Sequence, residues 1–289
     1  MSLDDIYILA AGFLLVINTA LLGTFLLVRR VAMMGDALAH AVLPGIVLAF
    51  IFSGTRNPLW MILGASIVGV FTAFLVQFLQ EKLKLAREAS IGVSFTSFFA
   101  IGVLLITKYA NMVDLDQDCV LYGELAYVPL NVWIDNNGVS WGPRTLYVLA
   151  FAALVVLCFV GFCYKALVLT SFDANFANAM GLSTRIWHYV LMGMVSLVVV
   201  AAFEAVGAIL VLAFLIVPPA CAYLISHRLK TILVLACLFG FLAVPLGYIL
   251  ALYIEASLAG AMTTILGMLF LGVLITTRLL GIMKKEASS

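Results

Sequence analysis

At 289 residues, 65% hydrophobic and only 10% charged, with a mean hydropathy of +1.23, the chain carries more apolar surface than a soluble domain can bury. Composition therefore places it among polytopic membrane proteins. The net charge of +1 decides little, whereas the distribution of charge along the chain decides the topology.

A span needs ~20 apolar residues, and the apolar runs predict helices near 6–28, 31–54, 58–80, 89–108, 145–165, 186–205, 207–226, 230–253 and 258–280. The expected fold is an all-α bundle of about eight or nine transmembrane helices in one domain over 1–289. Met-Ser-Leu-Asp-Asp lacks a basic n-region, so the first run is expected to remain as a helix. The weakest division lies between 186 and 226, where only Glu204 and Gly207 interrupt the apolar run. The second span contains Gly35-Asp36-Ala37-Leu38-Ala39-His40-Ala41-Val42-Leu43-Pro44-Gly45. Helical i, i+4 spacing puts Asp36 and His40 on one face. Ionisable groups in hydrocarbon are costly and commonly mark ion or proton paths. Pro44 lacks an N–H, which frees the His40 carbonyl and predicts a bend there. Carboxylate and imidazole without thiolate suit Mn²⁺, Fe²⁺ or Zn²⁺. Two ligands make a weak station that an ion can leave, and a second copy would raise the count to four. A proton relay and a structural Asp–His hydrogen bond are the competing readings.

Lys and Arg set the orientation. Arg29, Arg30, Lys82, Lys84, Arg87, Lys165, Arg185, Arg228, Lys230, Arg278, Lys284 and Lys285 fall on one side, against Arg56, Lys108 and Arg144 on the other. The basic side is expected to be cytoplasmic, with the N-terminus outside and the C-terminus inside. Segment 109–144 then lies outside with Asp114, Asp116, Asp118, Glu124 and Asp135, a solvated acidic loop or a cation-gathering mouth. Within it, Asn136-Asn137-Gly138 between apolar-aromatic arms predicts a hairpin. On the inner side, 170–184 reads as a short helix capped by Ser171 or Asp173 and ended by Gly181. Phe172, Phe176, Ala177 and Met180 form its apolar stripe. It either docks a partner or lies on lipid.

Glu204 is a further ligand or gate, or a carboxylate taking N–H bonds from the helix start near Gly207. His188 and His227, beside Arg185 and Arg228, are expected to be solvated or phospholipid-facing. Cys158, Cys163, Cys221 and Cys237, in apolar runs, are expected to pack as small buried residues, and Cys119 lies outside them. GxxxxGK[ST], HExxH, GxSxG and nucleic-acid-binding patterns are absent, so this chain supplies no P-loop ATPase of its own.

Arg29 to Gly45, with its GDAxxHAxLPG run, resembles the permease subunits of bacterial zinc/manganese/iron-type ABC importers. Three further segments match in family order. They are Asp114-Leu115-Asp116 with Leu121-Tyr122-Gly123, Ser171-Phe172-Asp173 with Ala177, Met180 and Gly181, and Ala205 to Val211 running into Leu215-Ile216-Val217-Pro218. Together they cover about residues 10 to 275.

The resemblance implies a type II-like permease, non-catalytic and without a resident cofactor, since ATP binds a separate subunit. Its implied partners are two cytoplasmic ABC ATPases, an extracellular or periplasmic metal-binding protein, and a second permease copy, identical or paralogous. It also implies lipid as surroundings, no nucleic acid, and a place in the bacterial cytoplasmic membrane. Asp36 and His40 match the family's ion-contacting positions, Glu204 joins them as a candidate, and 171–182 matches the coupling helix. Pro44 and Pro218 are the expected kinks. The Ala-Val-Leu-Pro-Gly continuation is similar to the manganese/iron branch, with zinc the other possibility. Pro219 and Cys221, the acid at Glu204, and a long segment from Trp133 to Pro143 depart from the usual family pattern. A proton- or sodium-coupled secondary transporter would require an internal repeat, and none is seen. A siderophore- or vitamin-type ABC permease would not require paired ionisable ligands.

Overall fold

A computed structural model describes residues 3–54, 58–109, 125–130, 132–134 and 140–286. In chain order its helices are α1 (Leu3–Val28), α2 (Met33–Ala41), α3 (Leu43–Ser53), α4 (Pro58–Lys82) and α5 (Arg87–Tyr109). A 3₁₀ turn, Leu125–Leu130, leads into β1 (Val132–Ile134) and β2 (Ser140–Pro143). There follow α6 (Arg144–Phe172), α7 (Ala174–Ala179), α8 (Thr184–Val206), α9 (Ala208–Ile225), α10 (Leu229–Ile254) and α11 (Leu258–Glu286). Among the described residues, nine helical stretches are long and apolar enough to cross a bilayer, with α2 and α3 counted as one.

The one uncertain division of the sequence falls at Gly207. Its φ of 79° lies in a region open to glycine, and it separates α8 from α9. The hairpin arms also form: β1 and β2 pair antiparallel with Val132 opposite Pro143 and Ile134 opposite Ser140. Trp133 meets Tyr147 edge-on, with ring centroids 5.9 Å apart. The acidic residues Asp114, Asp116, Asp118, Glu124 and Asp135, together with Cys119, lie outside the described residues.

Two expectations are corrected. Helix α6 does not stop near 165 but continues to Phe172. Nothing in Lys165 to Ser171 breaks a helix, and the Thr170 and Ser171 hydroxyls donate back to the Ala166 and Leu167 carbonyls one turn earlier. Ser171 is therefore inside α6 and does not cap α7. Cys158 is exposed, whereas Cys221 is buried and Cys163 and Cys237 are intermediate. In a membrane span the outward face is apolar too, so an apolar neighbourhood in sequence does not imply burial.

The chain resolves into two compact units, one of Met1–Leu27, Gly123–Ala153 and Ala205–Ser289, the other of Val28–Tyr122 and Leu154–Glu204. In the first, small residues let helices approach closely, as expected where lipid offers no hydrophobic drive. A Cβ on Gly23 of α1 would strike the Leu215 carbonyl of α9, and one on Gly240 of α10 would strike Val16 of α1. Phe13 and Phe241 meet edge-on with centroids 5.6 Å apart. Asn18, fully buried in α1, donates to the carbonyls of Leu14 at 3.0 Å and Leu149 of α6 at 3.1 Å. Pro218 and Pro219 are both buried inside α9, which continues through them to Ile225.

In the second unit α3 and α4 cross at a glycine pair. A Cβ on Gly45 would lie 2.5 Å from the Gly64 carbonyl oxygen, and one on Gly64 would lie 2.6 Å from that of Gly45. Val42, Ile46, Ala65 and Val200 form the core around this crossing. Ser196 of α8 donates to the Ala65 carbonyl at 3.3 Å. This packing fixes α3, the helix that follows the one carrying the ionisable pair.

Candidate functional site

Asp36 and His40 project from α2, a helix of only 9 residues. The interruption falls at Val42, between α2 and α3, with Pro44 in the first turn of α3. Proline is tolerated there because the first-turn N–H groups have no intrahelical acceptor. Val42 remains near helical (φ −76°, ψ −13°) and its N–H bonds to the Leu38 carbonyl at 3.2 Å. The second span is thus a jointed helix whose joint lies half a turn beyond His40.

The His40 Nε2 and Asp36 Oδ1 atoms are 3.6 Å apart, with side chains 29% and 40% exposed respectively. That separation is too long for a hydrogen bond. Both side chains are half-buried. His40 is walled by two aromatic rings of α5. Phe99 meets it edge-on with centroids 5.9 Å apart, and Phe95 lies tilted at 6.2 Å. Sequence reasoning missed both rings. Their i, i+4 spacing was visible, but Phe95, Phe98 and Phe99 cover more than one face of α5 and did not show which of them meets α2.

The described residues contain no group of three or more His, Cys, Asp or Glu side chains able to enclose an ion. Within those residues Asp36 and His40 have no third such side chain beside them. Glu204 lies on α8, three residues before the Gly207 break, and its side chain is outside the described set.

The expected coupling segment forms as α7. Asp173 is its N-cap: Oδ1 accepts from the Phe176 N–H at 2.9 Å. Gly181, at φ 82°, closes the other end, where the Gly181 N–H reaches the Asn178 carbonyl at 3.0 Å and the Leu182 N–H reaches that of Ala177 at 2.9 Å. The stripe divides. Ala177 is fully buried, while Phe172, Phe176 and Met180 are 61%, 52% and 63% exposed. Phe172 is the last residue of α6 and Met180 follows α7, so this apolar patch spans the joint between two helices. Asn178, which sequence reasoning passed over, accepts from the Thr184 N–H at 3.2 Å and ties α7 to the start of α8.

Arg29 joins the two functional segments. From the residue after α1 it donates through Nε to Ser171 Oγ at 2.9 Å and through Nη2 to Thr170 Oγ1 at 2.8 Å. Burial draws its guanidinium down to about 10, and it remains cationic at neutral pH. Arg87 donates to the Arg30 carbonyl at 3.0 Å, holding a residue whose φ of 58° is rare outside glycine. The sequence suggested a solvated or phospholipid-facing His188. It is partly buried and lines a cavity with these arginines. His227 is exposed, as expected, beside the Tyr223 ring.

Among the described residues, nine membrane-length helices, one of them jointed beside the Asp36–His40 pair, define a polytopic membrane protein. The chain belongs to the ABC 3 transport family, which matches residues 6–277. It is 41% identical over 282 residues to the manganese transport system membrane protein MntD of Bacillus subtilis, covering 98% of this chain and 95% of that one. It is 35% identical over 252 residues to the zinc transport system membrane protein TroD of Treponema pallidum, covering 87% and 68% respectively. Among solved structures, PsaBC from Streptococcus pneumoniae in complex with Fab superposes with a TM-score of 0.76 at 27% identity, covering 94% of this chain and 91% of that one.

Proposed function

We propose that the chain is the membrane-spanning permease subunit of an ATP-driven importer of divalent transition-metal ions, with manganese the leading cargo and zinc and iron behind it. The observation that carries this reading is the open Asp36–His40 pair. The two atoms stand 3.6 Å apart on one face of α2, close enough to share one ion. With metal–ligand bonds of about 2.1 Å, atoms at that separation subtend roughly 120° at a shared ion, within reach of a distorted tetrahedral arrangement. A carboxylate and an imidazole favour first-row divalent ions over soft Cu(I). The manganese named for the relative from Bacillus subtilis and the zinc named for that from Treponema pallidum agree with this donor set.

Two ligands hold an ion briefly, which suits transit rather than capture. A second permease copy, identical or paralogous, supplies the other pair in this proposal, and Glu204 is a further candidate carboxylate. The excess of Lys and Arg places the Arg29–Arg30 end in the cytoplasm, the N-terminus outside and the C-terminus inside. The ion then passes inward from an extracellular or periplasmic binding protein through the cytoplasmic membrane. Exposed Phe172, Phe176 and Met180 beside a capped short helix support docking of a separate cytoplasmic ABC ATPase, which hydrolyses the ATP. Reconstitution of the permease with and without that ATPase tests the assignment. Uptake of Mn²⁺ is expected only with both subunits and ATP, and uptake by the permease alone, driven by a proton or sodium gradient, would replace this reading with a secondary transporter.

A further inference from the structure

The strands β1 and β2 are 3 and 4 residues long, and a two-stranded hairpin of that size is marginal unless something covers it. The first unit covers one side. Trp133 meets the Tyr147 ring of α6 edge-on with centroids 5.9 Å apart. Gly142 of β2 comes up against Tyr7 of α1, whose hydroxyl lies 3.8 Å from where a Cβ on that glycine would stand. The rest is open. Trp133 and Val132 are exposed, as are Tyr127 and Leu130 in the 3₁₀ turn before them, while Leu125 and Val128 of that turn are buried. From Val132 to Pro143 the sequence carries a single charge, Asp135. An exposed aromatic and aliphatic patch of this kind marks a contact surface.

The face of α6 on which Tyr147 stands says what covers the patch. Leu149, Ala152 and Ala153 are buried, and the Leu149 carbonyl takes the Asn18 amide of α1, so that side of α6 meets protein. Tyr147, Ala150 and Phe151, at i, i+3 and i+4, are exposed on the opposite side. In a membrane-length helix an exposed apolar side is the one that lipid wets. Trp133 therefore extends the lipid-facing side of α6 upward. Its depth follows from the same helix. The 29 residues of α6 span about 43 Å, the thickness of a bilayer with both headgroup layers, about 40–45 Å. Tyr147 lies in the first turn of α6, just after exposed Arg144, so Trp133 stands at headgroup depth and Phe151 one turn further in. Trp and Tyr collect at that depth because their rings rest on the acyl boundary while the N–H or hydroxyl meets headgroups and water.

We infer that the β1–β2 hairpin is an interfacial membrane anchor. Trp133, with Val132, Tyr127 and Leu130 beside it, rests in the headgroup and glycerol layer of the leaflet at which α1 and α6 begin. Because the patch continues the side of α6 rather than its end, it is presented to that leaflet and not to a soluble protein approaching along the spans. Through the Trp133–Tyr147 contact the hairpin holds the first turn of α6 at a fixed depth.

Tryptophan fluorescence of the full chain in phosphatidylcholine nanodiscs tests this without transport or cargo. The signal of wild type minus that of Trp133→Phe gives the Trp133 contribution, and Trp133→Tyr supplies the same difference from an independent variant. That contribution is expected to be quenched about twofold more by phosphatidylcholine brominated near the headgroup end of its acyl chains than by lipid brominated near the chain ends, and only weakly by aqueous iodide. Strong quenching by iodide with none by either brominated lipid would overturn the inference and leave the hairpin as a docking surface for a soluble partner. Quenching chiefly by the chain-end bromines would overturn the interfacial depth. Shielding from iodide and from both brominated lipids would overturn it in favour of a protein contact with a second copy of the chain.

Discussion

Each of the two proposed ligands is held from behind. Asp36 stands in the first turn of α2 and His40 in the last, so a single short helix sets their spacing. The rings of Phe95 and Phe99 limit where the imidazole can turn. An edge-on aromatic contact contributes about 0.5–1.5 kcal/mol beyond the area it buries. Phe99→Ala should therefore loosen His40 without removing a ligand. Metal uptake is expected to fall a few-fold through a raised KM, with assembly unaltered, and an unchanged KM would show that the ring does not position the imidazole. The pair was legible from the sequence because ionisable residues are conspicuous in an apolar run. The rings were not, because phenylalanines at 95, 98 and 99 cover more than one face of α5 and leave open which face meets the protein and which the lipid. The same ambiguity led Cys158 to be read as buried when it is exposed.

At the scale of elements, two joints matter. The joint at Val42 lets α2 and α3 differ in direction while the Gly45–Gly64 crossing anchors α3 to α4. Pro44 announced it, although the break falls two residues before the proline. The second joint, at Asp173, separates α6 from α7 and leaves Phe172, Phe176 and Met180 exposed around it. Sequence placed the short helix correctly through Asp173 and Gly181, yet it ended α6 too early. The Thr170 and Ser171 hydroxyls satisfy carbonyls of their own helix, a local choice that propensity alone does not decide. Nor does sequence reveal that Arg29 reaches two residues more than 140 positions away. Phe176→Asp changes the exposed patch and leaves the buried Ala177 in place. It is expected to abolish co-purification of the ATPase while the melting temperature of the isolated permease stays the same. Normal co-purification would assign the patch to the lipid surface.

At the scale of the molecule, the helix count and the Gly207 division followed from the bilayer, which demands ~20 apolar residues per crossing. The division into two compact units did not, since apolar runs of similar length give no hint of which helices group together. The jointed span, the Asp36–His40 pair and α7 all belong to one of those units, and Arg29 bonds the entry of α2 to the end of α6 within it. The central claim is that the ion passes through Asp36 and His40, and ATP-driven Mn²⁺ uptake into proteoliposomes holding the complete complex measures it directly. Wild type should accumulate Mn²⁺, while Asp36→Ala and His40→Ala should each fall to the background seen without ATP, with the ATPase still bound and hydrolysing. Uptake at the wild-type rate in both variants would contradict the account.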